Sequence, residues 1–286
     1  MTTQQHILAC IDGSTVTESI CGYAAWYANR LGLPVGLLNT IEVPASVRRD
    51  LSGTIGVDSR QILLQELSEI DERRAKVANN YSDAMVKDAK SYIDKHFNVP
   101  VDIYQRHSKL LPAIEHFSDM NRAIVMGRRG EDHKNSRINI GSQIETVARA
   151  SSVPVLICSE PFKEPSSYMI AFDASKTAIK VIKSIAKSEV LKKLQGHLVM
   201  VGNHDATSKN SLSAAAAELL SAGYNMSCHH LPQGDAVNGL LTFQLENSID
   251  MMVIGAYGHS KWQQLFLGST TTEILASTVS PVILVR

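Results

Sequence analysis

Met251-Met252-Val253-Ile254-Gly255-Ala256-Tyr257-Gly258, followed after nine residues by Gly268-Ser269-Thr270, sets four apolar residues ahead of a glycine-rich loop and a helix-forming run from Thr271 to Thr278. A short apolar run bounded by glycine reads as a buried strand, and strand, glycine loop and helix in that order is the unit of a parallel α/β sheet. Glycines let a backbone approach a bulky anion, hydroxyls donate to its oxygens, and a helix N-terminus adds unpaired N–H groups and the positive end of a dipole. The segment therefore reads as a phosphate cradle. A glycine-rich turn that merely joins strand to helix is the competing reading.

The same pattern occurs earlier in the chain. Ala123-Ile124-Val125-Met126 leads into Gly127-Arg128-Arg129-Gly130 and then Gly141-Ser142. Gly127 and Gly255 are 128 residues apart, Gly141 and Gly268 are 127 apart, and so are Pro154 and Pro281, which open two closing apolar runs. Ile7 to Ser14 matches Met169 to Ser175 at an offset of 161, so the first copy carries 33 extra residues between its first strand and its glycine loop. Repeats of this size are whole domains rather than solenoid units. The expected division is residues 1–158, a linker at 159–167 carrying Pro161 and Pro165, and residues 168–286.

In the first copy, strands are expected at His6 to Asp12, Pro34 to Glu42, Val101 to Arg106, from Ala123 and from Val153. Helices are expected at Val16 to Leu31, Lys109 to Asp119 and Ser142 to Ala150. A long polar helix over about 59–96 supplies the extra length, its charges at three- and four-residue spacings. That helix is read either as solvated or as a partner surface. In the second copy strands fall at Tyr168 to Asp173, His197 to Gly202, Asn225 to Leu231, Asp250 to Gly255 and Pro281 to Val285. Alternation of this kind gives two doubly wound parallel sheets covered on both faces.

The 286 residues carry 28 Lys plus Arg against 28 Asp plus Glu, and this balance gives no support to sequence-independent nucleic-acid binding. The N-terminal residues do not read as a signal peptide and no apolar run approaches a membrane span, so the expected location is the cytoplasm, without membrane insertion. Cys10, Cys21, Cys158 and Cys228 lack metal or redox spacing and are expected as reduced core residues. Of the ten histidines only His229 and His230 are adjacent, on a strand that points them to opposite faces, and no metal site is expected.

Ligands of such sheets settle at the carboxyl ends of strands where the winding reverses. Asp12 and Asp173 end the first strands and the glycine loops end the fourth, so neighbouring first and fourth strands bring carboxylate and cradle to one crevice. Each Asp either contacts a ligand there or caps the following helix, and position alone leaves both open.

These residues resemble the universal stress protein family. The resemblance rests on Ile7 to Ser14, Val125 to Gly130, Val253 to Gly258, Gly268-Ser269-Thr270 and the two Pro-Val endings; it spans both halves and implies a tandem member. It implies a Rossmann-like, adenine nucleotide alpha hydrolase-like fold, with five parallel strands per domain in the order 3-2-1-4-5. ATP would lie in the crevice, with Mg²⁺ as its default companion. By that resemblance Asp173 and the backbone of Val201 contact adenine, and Gly255, Gly258, Gly268, Ser269 and Thr270 hold ribose and phosphates. In the first copy ten residues, not nine, separate Gly130 from Gly141, and Gln143 replaces a hydroxyl residue, so Asp12, Thr40, Gly127, Gly130, Gly141 and Ser142 are the weaker set. Arg128, Arg129, Lys134 and Arg137 either add positive charge for phosphates or stand as solvated loop charges.

No carboxylate set for phosphoryl transfer is visible, nor a Walker or dinucleotide fingerprint, so no dedicated catalysis is expected beyond slow ATP hydrolysis or self-phosphorylation. The function expected from the resemblance is an ATP-binding, nucleotide-dependent regulator in a stress response. The rival is a nucleotide-independent interaction protein that uses the 59–96 segment or the crevice for a protein partner or an apolar ligand. The closing strands, Val153 to Cys158 and Pro281 to Val285, are expected to pair as an intrachain pseudo-dimer, with a homodimer of chains left open.

Overall fold

The computed structural model describes residues 4–42, 57–128, 142–159, 161–255 and 269–286, with the side chains of 57–64, 142 and 269 left out of the description. The first half runs β1 (His6–Ile11), α1 (Thr17–Leu31), β2 (Val35–Thr40), α2 (Val57–His96), β3 (Val101–Arg106), α3 (Leu110–His116), β4 (Asn121–Gly127), α4 (Ser142–Ala150) and β5 (Val155–Cys158). The second runs β6 (Ser167–Ala171), α5 (Lys176–Ala186), β7 (Gln195–Val201), α6 (Ala206–Ser221), β8 (Asn225–Leu231), α7 (Ala236–Glu246), β9 (Met251–Gly255), α8 (Ser269–Ser277) and β10 (Val282–Val285). Most elements fall where the periodicity puts them. α3 is shorter than its apolar pattern, because the chain turns at Phe117 and Met120 N–H donates to the Phe117 carbonyl.

The ten strands among the described residues form one sheet, in the order β3-β2-β1-β4-β5-β10-β9-β6-β7-β8. The first half has the order 3-2-1-4-5, and the second repeats it in mirror sequence across the junction. Within each half every ladder is parallel, and the two halves meet antiparallel through Val282 and Ile157, Ile283 and Leu156, and Leu284 and Val155. These six side chains are buried, so the junction is built as a sheet interior and not as a wet contact. One apolar layer, from Ile7 through Leu156 and Ile283 to Met251, covers one face of both halves, and a second, from Leu8 through Ile157 and Leu284 to Met252, covers the other. Alternate residues of each strand feed opposite layers, as a pleat with two covered faces requires.

Local signals account for the helix boundaries. Ser175, Asp205 and Asp235 cap α5, α6 and α7 by accepting from Ala178, Ser208 and Asn238 N–H, and Gly32 closes α1 in the left-handed conformation at φ 64°. The halves are tied outside the sheet as well. Arg128 Nη2 donates to the Ser280 carbonyl at 2.9 Å, and Arg286 Nη1 to the Arg149 carbonyl at 2.8 Å. Phe162, in the connecting segment, packs edge-on against Tyr23 at 4.9 Å between ring centroids and against Phe97 at 5.6 Å.

Candidate functional site

Strand order places β6 between β9 and β7. Asp173, two residues beyond β6, Val201, the last residue of β7, and Gly255, the last of β9, therefore stand at the carboxyl ends of three adjacent parallel strands, where the winding direction switches. Phe172 N–H donates to the Val199 carbonyl at 2.9 Å and continues the β6–β7 ladder up to Asp173. Gly255 lies beside the first turn of α5, where an added Cβ would come 3.0 Å from Thr177 Cγ2. In the first half Asp12, Thr40 and Gly127 take the equivalent places after or at the ends of β1, β2 and β4.

Neither aspartate caps its helix. Asp173 Oδ1 accepts from Ser175 N–H at 2.9 Å and Asp12 Oδ1 from Ser14 N–H at 3.0 Å, so each closes a tight turn two residues long. Ser175 is the cap of α5, and Val16, at the cap position of α1, offers no side-chain hydrogen bond. The turn forces its middle residue left-handed in both halves, Gly13 at φ 77° and Ala174 at φ 58°. A non-glycine residue costs of order 1 kcal/mol in that region. Asp173 is exposed, and its second oxygen accepts no hydrogen bond among the described residues. This leaves a carboxylate oxygen at the mouth of the crevice for an external donor.

Gly130, Gly141, Gly258 and Gly268, with Arg129, Lys134 and Arg137, lie outside the described residues, as do the side chains of Ser142 and Ser269. Thr270 is the second residue of α8 and is exposed; α4 begins at Ser142, as expected, and α8 at Ser269, two residues ahead of the expected Thr271. Arg128 is partly buried, and its guanidinium also ties the halves together, Nη2 donating to the Ser280 carbonyl.

The two crevices differ in a way that loop spacing does not reveal. In the first half α2 folds over the turn after β1. A Cβ on Gly13 would lie 2.5 Å from Tyr81 Oη and 3.0 Å from Met85 Sδ, so the ends of both side chains rest directly on the glycine. Beside it, buried Asn39 of β2 donates from Nδ2 to the Ile11 carbonyl at 2.9 Å and accepts from Ser82 Oγ at 2.6 Å. Gln105 Nε2 donates in turn to Ser82 Oγ and to Asp83 Oδ1, both at 2.8 Å. At the offset of 161 that relates the first strands, Asn39 and Gly13 correspond to Met200 and Ala174, so the second half has neither the amide nor the glycine of this cover. An amide inside the otherwise apolar run Val35-Gly36-Leu37-Leu38-Asn39 was the signal for this network, since a buried amide must find partners. Ser82→Ala leaves Asn39 Oδ1 without its short donor, and urea denaturation is expected to show a loss of about 1–2 kcal/mol.

Cys10, Cys21 and Cys158 are buried, and burial pushes each thiol up to about 12. Cys228 corrects the expectation of a core residue: it is exposed on β8, an edge strand. His229 and His230 do point to opposite faces. His229 meets His197 at 3.1 Å between ring nitrogens and packs on Phe243, whereas His230 stacks on His204 at 3.9 Å between centroids. Among the described residues no three His, Cys, Asp or Glu side chains are grouped to hold a metal ion, and no helix is long and apolar enough to cross a membrane.

Comparison with known proteins places this geometry in context. A family model for the universal stress protein family matches residues 4–159 and 171–286. A universal stress protein of Synechocystis sp. is 29% identical over 287 aligned residues, which cover 99% of this chain and 100% of the relative. The crystal structure of a universal stress protein from Archaeoglobus fulgidus superposes with a TM-score of 0.64 at 17% identity, covering 99% of this chain and 97% of the other, which is a likeness of fold.

Proposed function

Since this chain belongs to the universal stress protein family, we propose that it binds ATP, with Mg²⁺ carried on the phosphates, in the crevice of its second half, and acts as a nucleotide-dependent regulator in the cytoplasm. In this reading residues 1–158 and 168–286 act as two domains joined by the 159–167 segment. The observation that supports it best is the convergence of Asp173, Val201 and Gly255 at the carboxyl ends of adjacent strands. Asp173 offers an exposed carboxylate oxygen to the exocyclic amine of adenine, and the Val201 backbone offers its amide groups to the ring edge. From Gly255 the motif continues through Gly258 and Gly268 to Ser269 and Thr270, which would hold ribose and phosphates with the N-terminus of α8. The first half is the weaker site in this reading, since Tyr81, Met85 and the Asn39–Ser82 pair cover its turn. Chemistry on the bound nucleotide is left to slow, unassisted hydrolysis or self-phosphorylation.

Calorimetric titration of nucleotide-free protein with Mg·ATP tests the proposal, with one ATP per chain as the expected stoichiometry. A hydrogen bond to a charged group contributes about 1.5–3 kcal/mol, so Asp173→Ala is expected to weaken ATP at least tenfold. Asp12→Ala is expected to leave the titration unchanged. Absence of binding at millimolar ATP, or an Asp173→Ala isotherm that overlays the parent, would sink the assignment.

A further inference from the structure

α2 has 40 residues where its counterpart α6 has 16. The excess lies at its N-terminal end. α1 flanks α2 only from the level of Thr17 and Gly13, where Thr17, Cys21, Tyr81, Met85 and Tyr92 line a cavity of about 290 Å³ between the two helices. N-terminal to Tyr81, residues 57–80 of α2 run on beyond the start of α1 for about 36 Å at 1.5 Å per residue. Residues 65–70 are exposed on every side. Over 71–80 only Asp71, Ala75, Ala78 and Asn79 are partly buried. A helical stretch that packs so little of its surface is marginal in water, since most helical stability in proteins comes from packing.

Two features of the stretch identify what supports it. Leu67, Ile70 and Val77 repeat at spacings of three and seven and form a seam on one side, exposed by 43%, 44% and 67%, and Tyr81, four residues on, carries the seam to the turn at Gly13. This is the heptad pattern of a two-helix coil, with Arg74 at the one position where the pattern calls for an apolar residue. The charges are also segregated along the axis. Glu66, Glu69, Asp71 and Glu72 are followed by Arg73, Arg74 and Lys76, with no base in the first block and no acid in the second. The ion pairs within the helix, Arg73–Glu69 at 3.8 Å and Arg74–Asp71 at 3.9 Å, are solvent-exposed and weak.

We propose that the projecting part of α2 is a self-association surface, which pairs antiparallel with the same segment of a second copy of this chain about a two-fold axis near residue 72. In a parallel pair like blocks would face each other and repel. In the antiparallel pair Asp71 of each copy lies level with Arg73 of the other and Glu69 falls between Arg74 and Lys76, while Glu72 sits on the axis on the side away from the seam. At that register Leu67 lies level with Val77 of the second copy and Ile70 with Arg74, whose methylene stem covers the seam while its guanidinium reaches the opposing acids. A single charged residue in such a seam fixes register and orientation at some cost in stability.

Sedimentation equilibrium on the full chain tests this. A dimer is expected at tens of micromolar in low salt, weakening as salt screens the blocks. Ile70→Glu with Val77→Glu is expected to weaken it at least tenfold. Reversing the basic block (R73E, R74E, K76E) or the acidic block (E66K, E69K, D71K, E72K) makes each chain self-repelling and monomeric, and mixing the two reversed chains is expected to restore a one-to-one heterodimer. All substituted positions lie on exposed or partly exposed helix, and an unchanged thermal transition of the α/β body verifies folding. A parent monomeric at 100 µM in low salt overturns the proposal. So does a dimer indifferent to Ile70→Glu with Val77→Glu, or a pair of reversed chains that stay apart when mixed.

Discussion

Gly22→Ala is expected to destabilise the chain by about 2–3 kcal/mol in urea, although alanine is the better helix former. Gly22 lies inside α1 and accepts the ring of Phe162 directly onto its backbone: an added Cβ would stand 2.5 Å from Phe162 Cγ and 2.9 Å from its Cβ. Neither is the far end of a flexible side chain, so the connecting segment must lift. Overpacking of this kind costs about 1–3 kcal/mol, and the edge-on contacts of Phe162 with Tyr23 and Phe97, each worth about 0.5–1.5 kcal/mol, are lost with it. The decisive observation is a change of sign. In a Phe162→Ala background the same Gly22→Ala change is expected to stabilise by roughly 0.5–1 kcal/mol, the ordinary helix preference for alanine. A substitution that behaves identically in both backgrounds would mean that Phe162 does not hold the connecting segment to α1.

The second large effect concerns Asp250, at the start of β9. Its side chain is 7% exposed and accepts from Lys163 Nζ at 2.6 Å, from Ser166 N–H and Oγ at 2.9 and 2.7 Å, and from Ser167 N–H and Oγ, both at 3.2 Å. Burial by itself pushes this carboxyl up; the hydrogen bonds of Lys163 and Ser166 and the lysine charge outweigh it and hold the group down at about 2. An unfolded aspartate titrates near ~3.9, so the native state favours the ionised form and the contribution is present above about pH 4. It is lost as the pH falls from there through 2. Two units correspond to roughly 2–3 kcal/mol. Asp250→Asn is therefore expected to cost about that much at pH 7, with the gap to the parent closing between about pH 4 and 2. A gap that stays constant over that range would refute the account. Lys163 is 75% exposed and screened by water, so Lys163→Ala is expected to cost less than about 1 kcal/mol. The serine donors at the head of β6 carry the remainder.

Fold and repeat were legible because a parallel sheet covered on both faces demands unbroken apolar strands, and runs such as Ile7 to Ile11 and Met251 to Ile254 have no other stable home. The site was legible only to the extent that it depends on strand ends. Asp12 and Asp173 do stand just past the ends of β1 and β6, but the turn each closes onto a serine N–H was not foreseen, because it depends on where the first helical turn closes. The cover over Gly13 was hidden for a different reason. Tyr81, Ser82 and Met85 are far from Gly13 and Asn39 in sequence, and a polar helix gives no sign of which of its faces will meet a turn. The tie from Arg128 to the Ser280 carbonyl could not be read from the sequence, because the junction between halves is what brings the two together.

The antiparallel pairing of β5 with β10 has a directional consequence. Strands of the first half point their carboxyl ends to one long edge of the sheet, and those of the second half to the other. The two turns after β1 and β6 therefore open toward opposite poles of the molecule. Five strand spacings sideways and one strand length along the axis put them about 30 Å apart. One small ligand cannot span both, and a partner seated at one pole leaves the other free. Any coupling between the poles has to cross the middle of the molecule, through the three residue pairs that stitch β5 to β10 and the Arg128, Arg286 and Phe162 ties beside them.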